Sequence, residues 1–142
     1  MIEKLTEEHI PEVALIERLC FSEPWSEKSL GILTQKNAVG FVALDSGRMA
    51  AYGGMICVLD EGQITNIAAH PDLRRKGYGE AVTRALINYG KENGLIAIYL
   101  EVRRSNGAAR ALYSKLGFEE IGERKGFYRN PCEDAVLMKI TL

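Results

Sequence analysis

Three groups of residues in this 142-residue chain have types and spacings that could do chemistry. The first is Arg74-Arg75-Lys76-Gly77-Tyr78-Gly79-Glu80, which follows an apolar run ending at Ala69 and a turn marked by His70-Pro71-Asp72. Two glycines there leave backbone N–H groups unobstructed where a long amphipathic segment begins, and a helix start carries unpaired donors and partial positive charge. With two arginines and a lysine at its mouth, the turn suits a phosphate or pyrophosphate. Taken alone, R-x-x-G-x-G fits equally well an ordinary strand–turn–helix connection with a solvated basic turn. Two other nucleotide motifs are excluded. The pattern G-x-x-x-x-G-K-[ST] is absent, and Gly77 to Val82 lacks the third glycine of the dinucleotide fingerprint.

The second group is Glu101, at the end of an apolar run, Ala97 to Val102, that predicts a strand buried on both faces. A carboxylate there needs a partner or a purpose: it is either a proton acceptor or half of an ion pair with Arg103 or Arg104. The third group is Asn106 and Tyr113. Asn106 can cap a helix and still offer its amide to a ligand. Tyr113 lies about two turns along that helix, on the face of Ala109 and near Asn106, and can also pack as a core tyrosine against Phe118.

Composition narrows the partners. With 18 Lys and Arg against 19 Asp and Glu, a net charge of −1 gives no bulk attraction to nucleic acid or membrane, so the basic turn is local and suited to one anion. The 46% hydrophobic and 26% charged residues are those of an ordinary globular chain, and the length predicts one domain over residues 1–142 with a sizeable core. No apolar run approaches the roughly 20 residues that span a bilayer. Met1 to Glu8 is acidic and lacks the apolar region of a signal peptide. Three cysteines without a C-x-x-C pattern point to reduced thiols and a cytoplasmic location. The only histidines, His9 and His70, have no neighbours at metal-ligand spacing, so no metal is expected.

These residues must be positioned by an α/β framework. Ile2 to Leu5 predicts a short strand. Pro11 suits the first turn of a helix to about Cys20, whose apolar face is Val13, Leu15, Ile16, Leu19 and Cys20. Ser26 caps a second short helix carrying Leu30 and Leu33. Val39 to Leu44, Met49 to Leu59 and Gln63 to Ala69 follow as strands. The helix after Gly79 turns Ala81, Val82, Ala85, Leu86 and Tyr89 to one side and ends at Gly94. After the strand Ala97 to Val102, Ser105 or Asn106 caps a helix over Ala108 to Leu116, and Phe118 to Ile121 and Ala135 to Ile140 complete the set. The order predicts a mixed sheet with helices on both faces.

The chain resembles the GNAT superfamily of N-acetyltransferases, and within it the ribosomal-protein-alanine N-acetyltransferases. Arg74, Gly77 and Gly79 match the signature R-x-x-G-x-G. Leu100 to Phe118 matches L-E-V-R-x-S-N-x-x-A-x-x-L-Y-x-x-x-G-F at every named position, and Phe21 to Ser26 matches a Phe-x-x-Pro-Trp-Ser segment. Tyr128, next to Phe127, fits the subgroup's aromatic close to its penultimate strand. Gly107, where Ala is frequent, is a small departure that weakens the first helical turn by up to about 1 kcal/mol.

The resemblance implies the GNAT fold: a mostly antiparallel sheet of six to seven strands flanked by about four helices, splayed between the strand ending at Ala69 and the one starting near Ala97. It implies acetyl-CoA as donor. Arg74, Arg75, Lys76, Gly77, Tyr78, Gly79 and Glu80 would wrap its pyrophosphate, mostly through backbone N–H groups, while Ile67, Ala68, Ala69 and Asn106 would bond its pantetheine arm. A backbone N–H near Ala68 or Ala69 is the natural oxyanion donor. Glu101 is then the general base toward the amine, directly or through a water, and Tyr113 the general acid toward the coenzyme sulfur. Trp25 and Tyr128 are candidates for walls of a peptide groove, and either could equally be core. The implied acceptor is a protein N-terminus, by analogy the N-terminal alanine of a small-subunit ribosomal protein. A small-molecule amine acetyltransferase and a non-catalytic acetyl-CoA-binding module are the rival readings. A polyamine would want a carboxylate cluster, for which Glu7-Glu8 and Glu119-Glu120 are candidates although both read as exposed helix or strand ends, and holding both Glu101 and Tyr113 argues against a binding module.

Overall fold

The computed structural model describes residues 1–142. After β1 (Ile2–Lys4) come α1 (Ile10–Cys20), with Pro11 in its first turn, and α2 (Glu27–Leu30), capped by Ser26 Oγ accepting the Ser29 N–H. β2 (Ala38–Asp45) and β3 (Arg48–Val58) form a hairpin turned at Ser46-Gly47. Both turn residues have positive φ, as a two-residue type I′ turn needs. β4 (Glu61–Ala69) leads through the His70–Leu73 turn to α3 (Tyr78–Glu92). Then come β5 (Ala97–Arg103), α4 (Gly107–Leu116), β6 (Glu119–Tyr128) and β7 (Glu133–Thr141).

The seven strands form one sheet in the order β1-β2-β3-β4-β5-β7-β6, and every neighbouring pair is antiparallel except β4 with β5. That parallel pair is short. Only Glu61, Gly62 and Gln63 pair, with Ala97, Ile98 and Tyr99, and the strands then diverge, so the expected splay is present. β4 is also bulged. Its pairing with β3 steps from Ile64 opposite Met55 to Ile67 opposite Gly53, which leaves Thr65 and Asn66 together facing Gly54.

Two cores hold the helices to the sheet. Met55, Ile64, Leu86, Ile98, Leu100 and Tyr113 belong to the one under α3 and α4. Val13, Ile16, Leu30, Leu33, Tyr52 and Ala68 belong to the one under α1 and α2. Strand periodicity sorts β5 accordingly: Ile98, Leu100 and Val102 enter the first core, and Tyr99, Glu101 and Arg103 point to the opposite face. No helix is long and apolar enough to cross a membrane.

Three sequence expectations are corrected. Leu15 and Leu19 do not line the buried face of α1; they are 44% and 48% exposed. The buried stripe is Ile10, Val13, Ala14, Ile16 and Glu17, and the charge of Glu17 disguised it in the sequence. Leu59 is not in β3 but in the following turn, at φ +56 and exposed. β6 runs to Tyr128 rather than stopping at Ile121. It is an exposed edge strand dominated by polar and charged residues, so it lacks the apolar signal that marks a strand.

Candidate active site

The splay of β4 and β5 opens beside the helix start singled out by the sequence. Gly77 caps α3 in the left-handed conformation at φ +83, and the N–H groups of Tyr78, Gly79 and Glu80 have no acceptor four residues back. A side chain placed at Gly77 or Gly79 would meet nothing within 4 Å, so the turn is open there. Arg75 is exposed beside them, and Lys76 Nζ lies 3.6 Å from Asp45 Oδ2. Arg74 is turned the other way: its Nε donates to Ala69 O at 3.3 Å and its Nη2 to Cys20 Sγ at 3.4 Å, pinning the end of β4. Lys115 and Arg84 hold the Glu80 carboxylate at 2.9 and 3.0 Å and keep its pKa below the usual range, so its charge is paired.

Ile67, Ala68 and Ala69 pair with Gly53, Tyr52 and Ala51 on one side. Their other edge borders the gap that β5 has left. Asn106 Oδ1 caps α4 by accepting the Ala109 N–H at 3.2 Å, while its exposed Nδ2 makes no hydrogen bond within the protein.

Glu101 is half-buried and accepts a hydrogen bond from Gln63 Nε2 at 3.2 Å. Neither arginine takes it. Arg103 Nη1 binds Glu133 Oε1 at 3.2 Å with its guanidinium 4.5 Å from the centre of the Tyr128 ring, and Arg104 binds Glu123. The ion-pair explanation of Glu101 is thereby set aside; its carboxylate bonds a neutral amide.

Tyr113 is 8% exposed, and its ring meets Phe118 edge-on at 5.8 Å, so it is a core residue as well as a candidate acid. Its hydroxyl makes no hydrogen bond within the protein, yet the sealed side-chain oxygen without a partner is Thr65 Oγ1, not Tyr113 Oη. Burial, with a smaller contribution from Tyr128, pushes the Tyr113 hydroxyl up to about 12. Tyr128 is pushed up to about 12 as well, by burial first and then by the charge of Glu101.

The candidate groove walls come from two loops that meet. Trp25 is half-buried against the α1-side core, and its backbone N–H donates to Glu17 Oε1 at 2.8 Å. Ser22 Oγ donates to Arg129 O at 3.5 Å, and Asn130 Nδ2 to Glu23 Oε1 at 3.2 Å. The sequence did not point to Gln63, Glu17 or the Arg103–Glu133 pair. Only Glu17 left a trace there, at helical spacing from Val13 and Ala14.

Free N–H donors with cations beside them, then an unpaired strand edge leading toward a free carboxylate and a phenol, fit a donor that has a pyrophosphate and a long amide-bearing arm. This fold and site define a coenzyme A-dependent acyltransferase. The chain belongs to the acetyltransferase (GNAT) family, whose model matches residues 10–118, and its donor is acetyl-CoA. It is 36% identical over 143 residues to the ribosomal protein bS18-alanine N-acetyltransferase of Escherichia coli, covering 99% of this chain and 97% of that protein. To the Haemophilus ducreyi protein of the same name it is 32% identical over 148 residues, covering the whole of both. The crystal structure of the ribosomal-protein-S18-alanine N-acetyltransferase from Escherichia coli superposes with a TM-score of 0.93 over 99% of this chain and 92% of that one. Arabidopsis thaliana NAA60 in complex with acetyl-CoA shares the fold at a TM-score of 0.90 and 16% identity, over 100% of this chain and 98% of that one.

Proposed function

We propose that this enzyme acetylates the N-terminal α-amine of a protein, the N-terminal alanine of a small-subunit ribosomal protein, in the cytoplasm. The observation that carries the reading is a half-buried Glu101 that no arginine takes, on β5 beside the splay from β4, with the unpartnered Tyr113 hydroxyl on the helix that follows. The relatives' stated acceptor supports the choice of amine.

Acetyl-CoA supplies an acetyl group activated as a thioester. The N–H groups of Tyr78, Gly79 and Glu80, with Arg75 and Lys76, would hold its pyrophosphate. Arg74 would act by fixing the end of β4. The free edge of Ile67, Ala68 and Ala69 and the Asn106 amide would hold its arm, as an added strand is held. An N-terminal ammonium has a pKa of about 7.7–8.0, so modest help suffices to remove its proton near neutral pH. Glu101 Oε2, the oxygen not bonded to Gln63, takes that proton directly or through a water. Tyr113 Oη, protonated across the physiological range, delivers one to the departing sulfur. Trp25 and Tyr128 flank the incoming peptide.

Mass spectrometry of two peptides incubated with enzyme and acetyl-CoA tests this. One begins with a free alanine and contains an internal lysine; its twin has a blocked N-terminus. Acetylation of the free α-amine alone is expected. Gain on both peptides would indicate a relaxed amine acetyltransferase. No gain on either, with acetyl-CoA still bound, would overturn the assignment.

A further inference from the structure

Glu17 is the one charged side chain with no exposed surface. Its neighbours on the buried stripe of α1, Val13, Ala14 and Ile16, are apolar, and an apolar residue of similar size would avoid the cost of burying a charge. Three donors converge on its two oxygens. The Trp25 backbone N–H reaches Oε1 at 2.8 Å, while the Tyr52 hydroxyl and Asn66 Nδ2, the latter at 3.1 Å, share Oε2. A group receiving three donors is satisfied as an acceptor-only carboxylate.

The identity of the three donors indicates what the charge does. Trp25 sits in the loop between α1 and α2 and is the candidate wall for the acceptor. Asn66 lies in the bulge of β4, next to the strand edge assigned to the donor. There the two-against-one pairing with Gly54 frees it to point toward α1 while Ile64 and Ile67 face the opposite core. Tyr52, on β3, pairs with Ala68. One carboxylate thus ties the acceptor-side loop to the donor-side strand.

We propose that Glu17 is a positioning residue that fixes the Trp25 wall at a set distance from the β4 bulge, so that amine and acetyl group meet in register. Its kinetic consequence rests on the α-amine reading above; its structural consequence does not.

Trp25 is the chain's only tryptophan, so its fluorescence reports on the tethered loop directly. Glu17→Gln should keep a cooperative unfolding transition and make Trp25 more accessible to acrylamide quenching. It should raise the acceptor KM about tenfold, as expected for loss of one charge-assisted hydrogen bond. Acetyl-CoA affinity, measured by calorimetry, should stay within about twofold. Tyr52→Phe, which keeps the ring and deletes one donor, should shift quenching and KM less but in the same sense. It carries the test if Glu17→Gln does not fold. Unchanged quenching in the folded variants overturns the proposal. So does an equal loss of acetyl-CoA affinity and acceptor KM, the mark of general loosening. If the native enzyme fails to acetylate the α-amine peptide, the acceptor reading falls, and the quenching pair still decides whether Glu17 holds the loop.

Discussion

Tyr113→Phe separates chemistry from architecture. The substitution keeps the ring that meets Phe118 edge-on at 5.8 Å and removes a hydroxyl that no protein group bonds. No partner is left unsatisfied, so stability should change by less than about 0.5 kcal/mol. Acetyl-CoA affinity should stay within about twofold, because the residues assigned to the donor lie on α3, β4 and at Asn106. Turnover should fall by about 10²–10⁴-fold, equivalent to about 3–5 kcal/mol of lost transition-state stabilisation. The pH dependence gives a second reading. With the hydroxyl pushed up to about 12, only about one molecule in ten thousand has lost its proton at pH 8, so the native rate should show no alkaline fall from this group below pH 10. Thermal unfolding, calorimetric titration of acetyl-CoA and single-turnover rates between pH 6 and 10 measure the three quantities. A variant retaining more than about a third of native turnover would refute the acid role.

Glu101→Gln should lower activity most at acidic pH, where the acceptor amine is most protonated; a variant-to-native rate ratio that is flat from pH 6 to 9 would count against a base. Thr65→Val removes a sealed hydroxyl with no partner and should raise stability by about 1 kcal/mol, a melting shift of about 3 °C by calorimetry. Burial holds the Glu17 carboxyl above its ordinary 4.5, so the folded state retains a proton that the unfolded chain has released. Stability from Glu17 is therefore greatest in acid and declines as pH rises through the ordinary carboxylate range until the folded carboxyl ionises. Denaturant titrations should show a flatter slope over that interval for Glu17→Gln.

Most of the architecture was legible because each strand and helix announces itself by period and by punctuation. Asn106 caps α4, Gly94 at φ +78 and Gly117 at φ +110 follow α3 and α4, and Ser46-Gly47 turns the first hairpin. The donor loop was legible for the same reason, since glycines at a helix start carry their conformational meaning in the sequence. What escaped depends on three-dimensional pairing. Arg74 was grouped with Arg75 and Lys76 by adjacency, yet the turn sends its guanidinium back to Ala69 O. Glu101 had two arginines close by in sequence, and each found another carboxylate from the β6–β7 hairpin. The partners of Glu17 lie 8, 35 and 49 residues away, beyond any local pattern.

The short pairing between β4 and β5 has a mechanical side. Three residue pairs join a larger panel, β1 to β4, clamped by helices on both faces, to a smaller one, β5 to β7, backed by α4. Side chains such as Leu86 and Ile98 glue the panels on the helix side, while Gln63 to Glu101 and Tyr99 to Glu61 stitch the other. This seam is where the sheet can breathe with the least loss of ladder. A molecule seated along it would touch both panels, and at a hundred times its dissociation constant it would add about 2.7 kcal/mol to the folded state. A bound donor would in that way serve as mortar between the panels as well as reagent.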